Sequence, residues 1–396
     1  MVQLSGKNNC LVMKRIFFLF ALLCMLLLGC DDFQNNYNPV NENASKEVRD
    51  LLTFLYSIQG KYTLTGQHNF LSDIDYYDDW VYKTTGKKPV VWGADFSFHV
   101  IGDSVQNYHH CGPANLSIPF DSCYENSYSI EYLRQKMIDE AVKKYHEGRI
   151  ITLMWHSCFP SECDTCDGAS IWRFEDRLPS DVEWNELLTD GSVLNNMWKK
   201  QVDGIAFYLK QLQEQNVPIL WRPYHEMNGT WFWWCNKPGE EGYKKLWIML
   251  YDYLTKYHKL DNLIWVWNTN APRNKPGDSA GNYEDFFPGY EYVDVLATDV
   301  YHKDYKKSHH DDLYRLGKGK LISLGEVGHL PSIDQYESQP YWSWFMVWGY
   351  FIYDFYSGDK DHAKEWDKLV NDIYHNPRSI TLDDIDFTNH EYKLLK

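Results

Sequence analysis

Eight short runs of apolar, β-branched or aromatic residues alternate along this chain with longer segments of helical period, and few folds accommodate that rhythm. The runs are Tyr62–Gln67, Pro89–Phe96, Arg149–His156, Val217–Glu226, Leu263–Asn270, Val293–Tyr301, Leu321–Val327 and Phe345–Gly349. Most are apolar almost throughout rather than at every second residue, which suits strands buried on both faces and hence a parallel sheet. Parallel neighbours need helical crossovers, and the connections supply them. Ile130–His146 sets Tyr132, Leu133, Met137, Ile138 and Val142 on one stripe, and Asn195–Gln215 and Tyr243–Tyr257 behave likewise. Eight such units predict an α/β fold, the (β/α)8 TIM barrel. An open doubly wound sheet is the alternative, but no Gly-rich phosphate loop follows the first strand.

In such a barrel the strand ends form the rim where active sites are built. Here those ends carry Gln67-His68, Asp95, Trp155-His156, Arg222 with His225-Glu226, Asn268 and Asn270, Asp299 with Tyr301-His302, Glu326 and Trp348. A buried strand end has no structural need of such groups, since each desolvated charge costs several kcal/mol unless paired. Their convergence predicts a site. Two long connections, 97–127 after the second strand and 157–192 after the third, emerge on the same face and are expected to shape it.

Two of the rim residues are carboxylates on opposite sides of the barrel mouth. Glu226 lies in Trp221-Arg222-Pro223-Tyr224-His225-Glu226-Met227-Asn228-Gly229, and Glu326 in Leu321-Ile322-Ser323-Leu324-Gly325-Glu326-Val327-Gly328. Glycoside cleavage needs such a pair, one carboxyl to protonate the leaving oxygen and one to attack or to activate water. Rival chemistries fit less well. His225-Glu226 starts like a zinc-protease HExxH helix, but Gly229 stands where the second His should be, and no GxSxG elbow is present. His109-His110 and His309-His310 are sequence neighbours that do not readily share one metal, and solvated loop histidines are expected. No metal and no cofactor is predicted.

Charge and composition narrow the partners. With 39 Lys+Arg against 55 Asp+Glu and no long basic run, nucleic acid is not expected. The aromatic share is high, with 17 Trp, 30 Tyr and 19 Phe, which serves either a large core or a ligand-gripping surface. At the N-terminus, Met13-Lys14-Arg15 precedes thirteen uncharged residues, Ile16 to Leu28, a signal-peptide pattern too short to span a bilayer comfortably. Leu27-Leu28-Gly29-Cys30 resembles a bacterial lipobox, with a plain cleaved signal peptide as the alternative. The expected organisation is a lipoprotein-type signal peptide (1–29), a polar tether lipidated at Cys30 (30–44) and one catalytic barrel (45–396). The product would be exported and membrane-anchored by lipid, periplasm-facing or on the outer-membrane surface of a Gram-negative bacterium. Cys111, Cys123, Cys158, Cys163, Cys166 and Cys235 are then available to pair, in fifteen possible ways. Cys163-x-x-Cys166 sits in a polar insertion without a second Cys or His pair and is expected to be a loop staple.

The block from Arg222 to Gly229, running into Trp231-Phe232-Trp233-Trp234, resembles the acid/base motif of glycoside hydrolase family 26, chiefly β-mannanases. Gly325-Glu326-Val327-Gly328 resembles that family's nucleophile motif. The resemblance covers the chain from about Ser45 onward. It implies a metal-free double displacement, with retention, on β-1,4-linked mannose in mannans, galactomannans or manno-oligosaccharides. Carried over by position, Glu226 would be the acid/base and Glu326 the nucleophile. Arg222 would reach the nucleophile or the sugar, His225 would flank the acid/base, and Trp231 would line the leaving-group side. Asp299 and Tyr301 match a sixth-strand Asp-x-Tyr pattern whose Tyr contacts the nucleophile. His156 and Trp348 correspond to a His touching the reacting sugar and a Trp flooring its subsite. The 97–127 insertion is expected to wall one end of the cleft and favour mannobiose release over internal cutting. A monomer is expected. A same-clan β-glucanase or xylanase, and a non-catalytic glycan-binding lipoprotein, are the competing readings.

Overall fold

The computed structural model describes residues 38–70, 75–96, 130–161, 171, 178–353 and 360–396. Cys30, the signal segment, the whole 97–127 insertion, residues 162–170 and 172–177 of the 157–192 insertion, and with them His109-His110 and Cys111, Cys123, Cys163 and Cys166 lie outside the described residues.

The first helix, α1 (Lys46–Ile58), starts at Ser45, whose hydroxyl accepts from Val48 N at 3.3 Å, and it buries Val48, Leu51, Leu52, Leu55 and Ile58. The chain before it is also packed down. Val40 N donates to Asp294 Oδ1 at 2.7 Å, Asn41 Nδ2 to Leu260 O at 2.9 Å, and Tyr251 OH to Val40 O at 2.8 Å. Residues 40–44, expected in the tether, therefore belong to the barrel's base.

Eight parallel strands follow. The first, β1, comes in two pieces, Thr63–Leu64 and Gly66–His68. After it come β2 (Val91–Asp95), β3 (Ile150–Trp155), β4 (Ile219–Pro223), β5 (Leu263–Asn270), β6 (Val295–Val300), β7 (Leu321–Val327) and β8 (Trp342–Val347). Each pairs with the next in parallel, and β8 returns to β1 through Gln67 opposite Val347, which closes the barrel. Closure leaves no open edge and puts every strand between a filled interior and a helical coat, so the uninterrupted apolar runs are what the fold requires.

The crossovers carry α2 (Tyr76–Thr85), α3 (Ile130–His146), α4 (Asp181–Leu188), α5 (Val193–Glu214), α6 (Lys245–Asp252), α7 (Lys307–Gly317), α8 (Ile333–Ser338) and α9 (Lys360–Tyr374). Serine caps set several starts: Ser180 with Glu183, and Ser332 with Gln335, close reciprocal capping boxes. The β5–β6 connection has no α-helix and is a loop that reaches the rim. Among the described residues no helix is long and apolar enough to cross a membrane.

One open alternative closes and two expectations change. The aromatic excess is largely core, since ten tryptophans, including Trp92, Trp198, Trp221, Trp265 and Trp344, are almost wholly buried. His309 and His310 are not solvated loop residues but buried positions on α7, where His310 Nε2 accepts from Tyr341 N at 3.2 Å. Of the two described cysteines expected to pair, Cys158 is disulfide-bonded, while Cys235 is a free buried thiol.

Candidate active site

The fourth strand stops earlier than its apolar run suggests. After Pro223 the backbone turns sharply, and Tyr224 (φ 48°) and Glu226 (φ 56°) both take the left-handed conformation. For non-glycine residues this costs about 1–3 kcal/mol each and persists only where the surroundings over-determine it. They do so here. Trp198 Nε1 donates to Tyr224 OH at 2.9 Å, Tyr243 OH to Tyr224 O at 3.1 Å, Trp234 Nε1 to His225 O at 2.7 Å, and Glu226 N to Asn268 O at 2.7 Å. The aromatic run after the motif thus has a divided role: Trp233 and Trp234 are core and brace the turn, while Trp231 is partly exposed. A side chain at position 229 would strike the Trp231 ring, 2.4 Å from its nearest atoms, so glycine there lets the indole fold back over the turn.

On β7 the device is a bulge. Thr298 pairs with Leu324 and Asp299 with Glu326, which leaves Gly325 as the extra residue and re-aims the carboxylate that follows. No other residue fits, because a Cβ at 325 would lie 1.7 Å from Asn268 Oδ1 and 2.8 Å from Asp299 Oδ1.

The two carboxyl groups so presented have opposite surroundings. Glu326 is ringed by donors: Arg222 Nη2 at 3.0 Å to one oxygen and Tyr301 OH at 2.8 Å to the other, with His225 Nε2 at 3.8 Å. Arg222 is itself fixed by Nη1 donating to Asn268 Oδ1 at 2.6 Å. Burial, then the neighbouring Glu326, Glu226 and Asp299 charges, raises the Tyr301 phenol well above its usual range, so it stays a donor. Glu226 receives neutral donors instead, Asn270 Nδ2 at 2.5 Å and Trp231 Nε1 at 2.7 Å. Burial, reinforced by the charge of Glu326, pushes Glu226 up to about 7. Glu226 is therefore arranged to hold a proton near neutrality, while Glu326 is fixed in place by two strong donors, the contrast an acid–nucleophile pair needs.

The remaining predicted residues gather around this pair. His225 is fully buried and held neutral, chiefly by desolvation and then by the positive His156 and Arg222 beside it. His156 packs edge-on against it with centroids 4.4 Å apart, its Nδ1 2.5 Å from Asp95 Oδ2. Burial alone would lower His156, but Asp95, Glu326 and Glu226 outweigh it and raise the ring. Trp348 lies just past β8 and stacks on His68 at 3.9 Å and 19°. Asp299, expected as a substrate-binding residue, is fully buried and lies 3.8 Å from Arg222 Nη1. Burial beside Glu326 and Glu226 raises its carboxyl well above the usual range.

Sequence reasoning assigned no role to Asn270, Asn268, His68 or Asp95, though all four stood among its polar strand ends. Asn270 and Asp95 directly hydrogen-bond Glu226 and His156, so strand-end position was the signal. His225, Glu226 and Asp299 offer donor atoms within 4.8 Å of one another, the spacing of a metal site. Both Glu226 oxygens in this trio already accept hydrogen bonds, from Asn270 and Trp231, while burial beside Glu326 raises the group.

Comparison with known proteins agrees with this geometry. The profile of glycosyl hydrolase family 26 matches residues 40–107 and 113–384. A mannan endo-1,4-beta-mannosidase of Bacillus subtilis (strain 168) is 40% identical over 328 residues, 78% of each chain. That of Thermothelomyces thermophilus is 30% identical over 363 residues, 89% of this chain and 64% of the other. The chain spans about half the length of two further curated relatives from Piromyces sp. Among solved structures, GH26A from Muricauda sp. MAR_2010_75 is 42% identical with a TM-score of 0.74, covering 88% of this chain and all of that one.

Proposed function

The chain belongs to glycosyl hydrolase family 26, and from that premise we propose that it is a retaining β-mannanase acting on mannans, galactomannans or manno-oligosaccharides. The observation that carries the mechanism is the contrast between Glu226 and Glu326 across one barrel mouth. The relatives' mannosidase names support the substrate.

Glu326 attacks the anomeric carbon of a β-linked mannose while Glu226 gives its proton to the departing glycosidic oxygen, and the C–O bond breaks. A glycosyl ester on Glu326 results. Glu226, now a carboxylate, takes a proton from water, the water oxygen attacks the anomeric carbon, and Glu326 leaves with its electron pair. Two inversions retain the β-configuration. Arg222 and Tyr301 hold Glu326 aimed through hydrogen bonds to its two oxygens, Trp348 and His156 frame the reacting sugar, and Trp231 meets the leaving-group side. Asp299, buried beside Arg222, orients the guanidinium. Neutral His225 lies beside Glu326 without adding a further cation to Arg222 and His156.

This reading makes kcat/KM fall as pH rises through about 7, because Glu226 must be protonated in the free enzyme. A profile that stays flat from neutral into alkaline pH would remove Glu226 from the acid role.

Lipid anchoring at Cys30, with the catalytic domain in the periplasm or at the outer surface, belongs to the same proposal. It is supported by the apolar run and the lipobox-like segment before Cys30. A fatty-acid label carried by the full chain should vanish in Cys30→Ala, with the protein leaving the membrane fraction. Persistent labelling would place the anchor elsewhere. We also propose that the protein acts as a monomer, since the described residues of this one chain bring Glu226, Glu326 and the groups around them together.

A further inference from the structure

Both hydrogen-bond donors on Glu226 are held from one place, and that place is outside every motif described above. Arg273 lies in the loop after β5, which a pair of backbone hydrogen bonds pinches shut, Arg273 N to Ala280 O at 3.1 Å and Ala280 N to Arg273 O at 2.8 Å. Its guanidinium makes three engagements at once. One nitrogen donates to Asn270 Oδ1, whose Nδ2 in turn donates to Glu226. The plane lies over the Trp231 ring, 5.2 Å from its centroid, and that indole donates to the other Glu226 oxygen. The remaining nitrogens are fastened to Asp278, Nε to its carbonyl at 2.9 Å and Nη2 to its carboxylate. Asn228, two residues past Glu226, stitches the same loop to the acid's own turn, accepting from Asn270 N at 2.7 Å and donating to Asn270 O and Gly281 O at 2.8 Å each.

We propose that Arg273, anchored by Asp278, is a positioning residue for the acid/base: it sets Asn270 and Trp231 together against Glu226, and braces the Trp231 ring against the sugar on the leaving-group side. An ordinary surface ion pair would not need this arrangement, since a guanidinium satisfied by Asp278 alone has no reason to share its fork with Asn270 and its face with Trp231. Arg fits where Lys does not, because only a planar fork offers donors in two directions and a stacking face. The inference rests on the reading of Glu226 as the acid.

The titratable groups facing Glu226 come from several elements: Glu326 on β7, Asp299 and Tyr301 at the end of β6, His156 after β3, His225 and Cys235 in its own loop, and Arg273. Arg273 lowers Glu226 and opposes the effect of burial and of Glu326. Its loss therefore lets Glu226 keep its proton to higher pH.

The test is the pH profile of kcat/KM for wild type, Arg273→Gln, Arg273→Lys and Asp278→Asn on mannan and on an aryl β-mannobioside with an activated leaving group. In Arg273→Gln the alkaline limb is expected to move upward by roughly half a pH unit or more, with KM for mannan raised several-fold. Asp278→Asn keeps the guanidinium charge but loosens its anchor, so it should raise KM for mannan by less and not move the limb upward, which keeps the test open if Arg273→Gln does not fold. Arg273→Lys should restore the limb but not KM. A limb in its wild-type place in Arg273→Gln, or a KM for mannan unchanged in Asp278→Asn, would overturn the inference. Glu226→Ala separates the two levels. If the alkaline limb survives in that variant on the aryl substrate, the reading of Glu226 fails first; if it vanishes there yet ignores Arg273, only this inference fails.

Discussion

Glu326→Ala is expected to abolish hydrolysis of mannan and of an aryl β-mannoside alike, while Glu226→Ala cuts the first steeply and spares the opening step on the second. The asymmetry follows from what each carboxyl contributes. Without Glu326 nothing within bonding reach attacks the anomeric carbon, whatever the leaving group. Without Glu226 a sugar hydroxyl must depart unprotonated, and acid assistance is worth typically 10²–10⁴-fold, so polysaccharide turnover should fall by about that factor. A phenolate stabilised by nitro groups leaves unaided, so the first step survives and only hydrolysis of the glycosyl-enzyme slows. An early burst of released phenol followed by a slower steady state is the expected trace for Glu226→Ala. Truncating Glu326 also strips buried Arg222 of its carboxylate partner, and breaking a buried pair commonly costs about 3–5 kcal/mol. Glu326→Gln keeps the volume and a hydrogen-bond acceptor and should be equally inactive, which separates chemistry from folding. Equal, modest losses in the two positions would refute the assignment.

The parts of this site that were legible before the structure are those fixed by burial and by strand ends. Continuous apolar runs located the barrel because both faces of each strand are covered, and polar groups such as Arg222, Glu326 and Tyr301 stood out because nothing about a core calls for them. Backbone geometry was less visible. The fourth strand was expected to run to Glu226, yet it ends at Pro223, since two residues beyond it adopt a left-handed conformation that no hydropathy pattern encodes. The bulge at Gly325 likewise reads as one more apolar strand residue until Asn268 and Asp299 are seen pressed against it. The eighth strand begins at Trp342 rather than Phe345, three residues before the uninterrupted run, because Ser343 is tolerated in a wholly buried position. Arg273 had no sequence signal at all. It sits in Pro272-Arg273-Asn274-Lys275-Pro276-Gly277, a composition that marks a solvent loop, and only the folding back of that loop brings it over Trp231. His309 and His310 misled for a related reason, because adjacent histidines after a basic stretch look exposed, whereas the helix turns both inward.

The central claim is that this barrel cuts β-1,4-linked mannose, and the most direct test is a time course of products from linear mannan, galactomannan, cellulose and xylan, separated by chromatography. The account predicts mannose oligomers from the two mannans and nothing comparable from cellulose or xylan. The early products carry further information, since a spread of lengths marks internal cutting and mannobiose alone marks release from a chain end. Glucose or xylose oligomers formed at rates matching or exceeding those from mannan, or retained glycan with no product from any of the four, would contradict it.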